Sequence, residues 1–279
     1  MMKKLLLLAL IFIKSFYGFT QEKGTCFWCF PIPEKYADTI LNDLKSIKHL
    51  ILKTGFYNVK QLPFDKLENL EYLNLSQCKV DNLPLLLEII GNLPHLEYLD
   101  LAGNRIDTIK FIKGSFPSLK FFSIEQCGVK YIDSSIGGLQ LLEFLNLGLI
   151  TGHFQVTNKI ETLPNSLSKL QSLKTLVYAD NKLLQVPSII FDLKSLQYLN
   201  VSGNSINFLP KKIISLTSLK VLDIGYNNFY SFPNTILSLK KLTILVISGN
   251  KIKYIPTEIF DHLELQKVVL NIKGRTIIE

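Results

Sequence analysis

The chain has 279 residues, 47% of them hydrophobic, and a formal net charge of +8. That is ample apolar material for a core, and the charge excess is mild: Lys3, Lys4 and Lys14 supply three of the charges, and the rest are spread along the chain, without the clustered basic face of a nucleic-acid binder. The four histidines and four cysteines show no metal-ligand spacing, and H-E-x-x-H, G-x-S-x-G and Walker-type loops are absent. No nucleic acid, metal or cofactor is therefore expected, and no catalytic residue stands out.

Residues 1–20 read as a signal peptide. Lys3 and Lys4 form a positive start, residues 5–13 an uninterrupted apolar run, and Gly18 and Thr20 supply small residues before a cut ahead of Gln21. The apolar run is too short to span a bilayer, which needs about 20 residues, and no later stretch is long enough either. Export to the periplasm, the cell surface or the medium is the expectation. The Lys-, Ile-, Asn- and Phe-rich composition points to a bacterial source.

Residues 21–43 form a leader and N-terminal cap. Cys26-Phe27-Trp28-Cys29 is the one chemically suggestive short motif. In an oxidising compartment Cys26 and Cys29 can form a local disulfide. The sharper reading, a thiol-disulfide oxidoreductase, would want the motif at a helix start after a strand, whereas Pro31 and Pro33 follow it. Tyr36, Ile40, Leu44 and Ile47 fall at helical spacing and predict an amphipathic capping helix.

From residue 44 onward one pattern recurs, L-x-x-L-x-x-L-x-L-x-x-N-x-L-x-x-L-P. Its clearest copies are LQSLKTLVYADNKLLQVP from Leu170, LKSLQYLNVSGNSINFLP from Leu193, LTSLKVLDIGYNNFYSFP from Leu216 and LKKLTILVISGNKIKYIP from Leu239. The first strand position is Leu50, Leu73, Leu99, Phe122, Leu145, Leu176, Leu199, Leu222 and Leu245, mostly at intervals of 23 residues. Alternation within L-x-L fits a short strand with one buried face. A single coil cannot cover that face, so neighbours must stack. Asn104, Asn158, Asn181, Asn204, Asn227 and Asn250 follow the strands, where a buried turn needs groups that both donate and accept. Cys78 and Cys127 fill the same position in two coils and are expected as buried thiols. Each closing Pro ends an extended segment, and a short helical turn should follow it.

On these motifs the chain resembles the leucine-rich repeat superfamily, in its 23-residue class ending in Leu-Pro, over residues 44–272. The resemblance implies an α/β solenoid, a horseshoe with parallel strands on the concave face and short helical turns on the convex one. It implies about nine coils plus a degenerate C-terminal coil in a repeat domain spanning 44–279. It is specific for fold and hardly at all for function.

Two intervals are longer. The one from Leu73 to Leu99 is 26 residues, and its excess should extend a helical turn near residues 85–91. The one from Leu145 to Leu176 is 31 residues, so 148–155 should bulge out as a loop, with His153 and Phe154 as candidate contacts. In the terminal coil, Leu265/Val268/Leu270 and Leu263/Gln266/Val269 both fit the register in part.

Strand residues between the buried leucines must face the concave side. One column holds four consecutive aromatics, Tyr72, Tyr98, Phe121 and Phe144, and Tyr198 further on. The next holds Asn74, Asp100, Asn146, Asn200 and Asp223. Exposed aromatics on a rigid surface anchor interfaces. Alanine at Tyr98 and Phe121 is thus expected to weaken partner capture without lowering the melting temperature. The leading expectation is a monomeric, non-catalytic module for a protein, or alternatively a glycan, partner. A structural or adhesion spacer of the cell surface is the second reading, and redox catalysis through Cys26 and Cys29 the third.

Overall fold

The computed structural model describes residues 25–26, 44–52, 62–80, 82–149, 156–259, 261, 267–272 and 275–278. The signal segment, most of the leader, Cys29, His153 and Phe154 lie outside these residues. So does most of the expected capping helix, of which Leu44 and Ile47 are buried in the core.

Strands are numbered in chain order. The concave sheet comprises β1 (Thr25–Cys26), β2 (His49–Ile51), β3 (Tyr72–Asn74), β4 (Tyr98–Asp100), β6 (Phe121–Ser123), β8 (Phe144–Asn146), β9 (Thr175–Val177), β10 (Tyr198–Asn200), β11 (Val221–Asp223), β12 (Ile244–Val246), β13 (Lys267–Ile272) and β14 (Arg275–Ile278), hydrogen-bonded in that order. β1 to β13 pair in parallel, whereas β13 and β14 form an antiparallel hairpin. On the outgoing flank, where the chain runs from the sheet towards the convex side, β5 (Thr108–Ile109) pairs with β7 (Tyr131–Ile132).

The strands are three residues long because only L-x-L alternates. Leu73, Leu99, Phe122, Leu145, Leu176, Leu199, Leu222 and Leu245 are fully buried, and they stack in register coil upon coil. Each contributes about 1.5–3 kcal/mol by leaving water. Beyond seven of the strands the chain turns a corner that puts a residue in the left-handed region: Gln77, Gly103, Gln126, Asp180, Gly203, Tyr226 and Gly249 all have positive φ there.

The turn that follows is held by the asparagines. Asn204 Nδ2 donates to the carbonyls of Tyr178 in the preceding coil (3.0 Å) and Val201 in its own (3.0 Å), while its Oδ1 accepts from Leu183 N–H (3.0 Å). Asn104, Asn158, Asn181, Asn227 and Asn250 repeat this pattern. At the two cysteine positions the thiols donate across coils, Cys127 Sγ to the Leu101 carbonyl at 3.1 Å and Cys78 Sγ to that of Leu52 at 3.7 Å. A thiol makes a poor acceptor, so Ile106 N–H goes instead to the Cys127 backbone carbonyl. Both thiols are buried, and burial pushes them up to about 11 (Cys78) and about 12 (Cys127), which keeps them protonated and inert.

On the convex side most turns are 3-10, opened by the closing prolines: Leu167, Ile190, Ile213 and Ile236 each donate to the carbonyl of the Pro three residues before. A 23-residue coil has room for little more. The 26-residue coil uses its excess for the α-helix α1 (Leu83–Ile90), whose Asn82 cap accepts from Leu85 N–H at 3.2 Å.

Three details sharpen or amend the sequence reading. Gly148 and Leu149 do not bulge. Gly148 is buried so close to Ala179 that a Cβ would lie 2.3 Å from its carbonyl oxygen, and Leu149 N–H donates to the same carbonyl. With Asn158 back in the ladder, the insertion is confined to the residues between them. Tyr178, buried where other coils place an aliphatic residue, donates its hydroxyl to Ile160 C=O (2.9 Å) and pins the returning chain. At the C-terminus Leu245 pairs with Val268, which selects the Leu265/Val268/Leu270 register. At the other end β1 extends the sheet by pairing Cys26 with Leu50.

Asn204→Ala should lower stability by about 1–3 kcal/mol, because it strands the Leu183 N–H and the Tyr178 carbonyl in a dry turn, while Val201 keeps its bond from Asn227. Urea denaturation checks this; an unchanged midpoint would show that the asparagine is dispensable.

Candidate functional site

The four consecutive aromatics come from β3, β4, β6 and β8, and the sheet register sets them directly opposite one another. Tyr72 and Tyr98 stack with centroids 4.0 Å apart and planes 12° from parallel. Tyr98 and Phe121 stack at 4.0 Å and 10°, and Phe121 and Phe144 at 4.4 Å and 11°. His49 closes the near end edge-on, 5.7 Å from Tyr72. The column is half-buried. The rings cover each other's faces, so what they offer the concave surface is a row of edges.

Beside them runs a row rich in acceptors. Asn74 Oδ1 and Asp100 Oδ1 each accept from the backbone N–H two residues on, at 2.9 Å, and Asn74 Nδ2 reaches Asp100 Oδ2 at 3.3 Å. Asn146 is buried. It accepts from Gly148 N–H (3.0 Å) and donates to Glu125 Oε2 (3.1 Å). Burial holds the Asp100 carboxyl above its ordinary value, and the charge of Glu125 adds to this against hydrogen bonds from Ala102 and Ser123. Burial, then a hydrogen bond with Tyr72, likewise raises the Tyr98 phenol. Glu125 and Ser123 belong to this group by the same strand register, although sequence reasoning passed over them.

The remaining expected residues lie apart. Tyr198 and Asn200 on β10 and Asp223 on β11 are separated from Phe144 and Asn146 by β9, which presents Thr175 and Val177. Asn200 Oδ1 accepts from Ser202 N–H and Asp223 Oδ1 from Gly225 N–H, both at 2.9 Å, so each secures its own strand end. Cys26 sits in β1, on a strand rather than at a helix start. Among the described residues no group of three or more His, Cys, Asp or Glu side chains could hold a metal ion, and no helix is long and apolar enough to cross a membrane.

Two family profiles match, one described as leucine-rich repeats (2 copies) over residues 68–114 and one as leucine-rich repeat over residues 172–229. This chain belongs to the leucine-rich repeat superfamily. Its fold is similar to that of a leucine-rich repeat protein of Leptospira interrogans, with TM-score 0.68 and 28% identity over 88% of this chain and 61% of that one. It is also similar to an internalin of Listeria monocytogenes, with TM-score 0.60 and 23% identity over 83% of this chain and 70% of that one. Among curated proteins, the mouse leucine-rich repeat and calponin homology domain-containing protein 1 is 32% identical over 47% of this chain, and the flightless-1 homolog of Caenorhabditis elegans 28% identical over 41%. The matches span 17% and 9% of those proteins' own lengths. Leucine-rich repeat domains are generally non-catalytic modules that bind proteins.

The stacking amends one expectation for this leucine-rich repeat protein. Each stacked pair adds about 0.5–1.5 kcal/mol beyond its area burial, and Tyr98 belongs to two. Tyr98→Ala should therefore lower stability by about 1–3 kcal/mol, whereas Tyr98→Phe keeps both stacks and should change it little. Urea melts of the two variants separate the roles of ring and hydroxyl.

Burial also raises the Asp223 carboxyl, against one backbone hydrogen bond from Gly225. A carboxyl with a folded-state pKa above its unfolded one disfavours the fold when ionised, and that penalty vanishes as pH falls through the folded value. Asp223→Asn keeps the acceptor for Gly225. It should melt higher than the native chain near pH 7, with the difference shrinking as the medium is acidified.

Proposed function

We propose that this protein is an exported, non-catalytic binding module that captures a protein partner on the concave face of β3, β4, β6 and β8. The observation that carries the reading is the uninterrupted aromatic stack beside the acceptor-rich row of Asn74, Asp100, Glu125 and Asn146. The ring edges make a rigid apolar strip tipped by the Tyr72 and Tyr98 hydroxyls, since the stack already immobilises them and little side-chain entropy is left to lose on binding. The two carboxylates favour a partner that brings hydrogen-bond donors or basic side chains to the strip.

The same geometry favours a protein over a glycan. Sugars seat their apolar faces on open ring faces, and here the inner faces are taken by neighbouring rings. The inserted residues that carry His153 and Phe154 follow Leu149 in the coil of Phe144 and would border the strip; Tyr198, Asn200 and Asp223 would lie at its outer margin. Export rests on residues 1–20, and Cys26 and Cys29 would then face an oxidising medium, where a local disulfide is the simplest role for them.

Mature chain immobilised on resin should capture its partner from culture medium or surface extract. Tyr72→Phe/Tyr98→Phe and Asp100→Asn/Glu125→Gln, which preserve the stack, should each weaken capture by about tenfold or more. Undiminished capture by both would exclude this face.

A further inference from the structure

The outgoing flank changes character part-way along the array. Backbone bonds from Ser205 to Leu183, Asn228 to Ile206 and Lys251 to Phe229 set residues 182–185, 205–208, 228–231 and 251–254 side by side on it. In earlier coils the same stretch carries charges beside the exposed ring of Tyr131, with Asp107 and Lys130 ion-paired at 3.5 Å and Glu161 exposed in the next coil. In the later coils it carries Leu184, Phe208, Tyr230 and Tyr254, which are 75%, 50%, 68% and 84% exposed. Their buried neighbours Leu183, Ile206 and Phe229 complete the core, so folding does not require these four tips to be apolar.

The charge is uneven in the same way. Residues 44–149 hold eleven basic and eleven acidic side chains, whereas residues 170–254 hold ten lysines against three aspartates. The mild excess that looked dispersed along the sequence is thus concentrated in the last four full coils. Lys182, Lys251 and Lys253 share the flank with the apolar tips, and Lys211 follows Phe208 by three residues. Lys212 is neutralised by Asp192 at 2.9 Å, and Lys194, Lys220, Lys240 and Lys241 lie on the opposite flank or its approach. At the rim of this flank Tyr226 adopts a left-handed backbone (φ 50) and is 70% exposed, where the neighbouring coils place Gly203 and Gly249.

We propose that this flank is a docking surface for an anionic lipid bilayer. Projecting aliphatic and aromatic tips interleaved with lysines suit the boundary between headgroups and acyl chains, where the tips enter and the ammonium groups meet phosphates. A soluble polyanion fits less well. Leu184 and Phe208 carry no hydrogen-bonding group, and Lys251 lies over the Tyr230 ring, 4.8 Å from its centroid, covering a face that a nucleobase would need. The surface is distinct from the concave strip, so a partner could be held there while the flank rests on the membrane.

Co-sedimentation of the full chain with vesicles tests this. Binding is expected to phosphatidylcholine mixed with phosphatidylglycerol at about three to one, and not to phosphatidylcholine alone. Lys251→Gln and Lys253→Gln should each reduce it about fivefold, and Phe208→Ser/Tyr254→Ser about tenfold or more, with thermal melts confirming that each variant is folded. No binding to the anionic vesicles would overturn the proposal. Undiminished binding by Phe208→Ser/Tyr254→Ser would overturn it as mere charge attraction, and so would capture of polyuridylate or polyglutamate in place of vesicles. Tyr98→Phe should bind vesicles like the native chain, which keeps the result separate from the fate of the concave site.

Discussion

Each coil of this solenoid is completed by its neighbour. A buried turn after every strand exposes carbonyls and an N–H that its own coil cannot satisfy, and the side chain of one asparagine supplies the missing partners by reaching into the coil before it. The leucines supply most of the free energy, but they are non-directional. The amide bridges are directional, and with the backbone ladder they hold every coil at the same height and rotation as the last. Where cysteine replaces asparagine, the thiol keeps the donor role and the backbone takes over the acceptor role. Where the chain is interrupted after Leu149, Asn158 restores the register at once.

The surface features depend on that shared register. Residues at one position of successive coils are held a strand spacing apart, close to the separation at which planar rings stack. Tyr72, Tyr98, Phe121 and Phe144 therefore become one continuous column, stabilising as well as available for contact. The same geometry places Asp100 and Glu125 near each other although they lie in different coils. A carboxylate desolvated in this way weakens the fold, and Asn74, Asn146 and Asn200 show that an amide fills the column equally well.

On the outgoing flank the register produces a ridge instead of a strip. Side chains there point away from the core, so their chemistry is free to vary from coil to coil, and it shifts from ion-paired to apolar and cationic within a single rigid body. Two surfaces of different character are thereby presented at fixed relative positions, without a hinge between them in the described coils.

The strand positions, the buried leucines and the asparagine bridges were legible in the sequence, because each is a local pattern repeated at one period and each repeat reports the same constraint. The sequence also placed the concave columns, since alternation along a strand decides which side a residue faces. Whether a column is open or self-covered was beyond it: the ring faces of Tyr98 and Phe121 are hidden by residues more than twenty positions away. The burial of Asn146, the tight seat of Gly148 against Ala179, and the choice of Val268 over Gln266 for the last register likewise depend on contacts between coils. So does the clustering of lysines with Leu184, Phe208, Tyr230 and Tyr254, which are dispersed along the chain and meet only when the coils stack. Periodicity is a property of the chain, whereas exposure and neighbourhood are properties of the stack, and the candidate surfaces of this protein belong to the second kind.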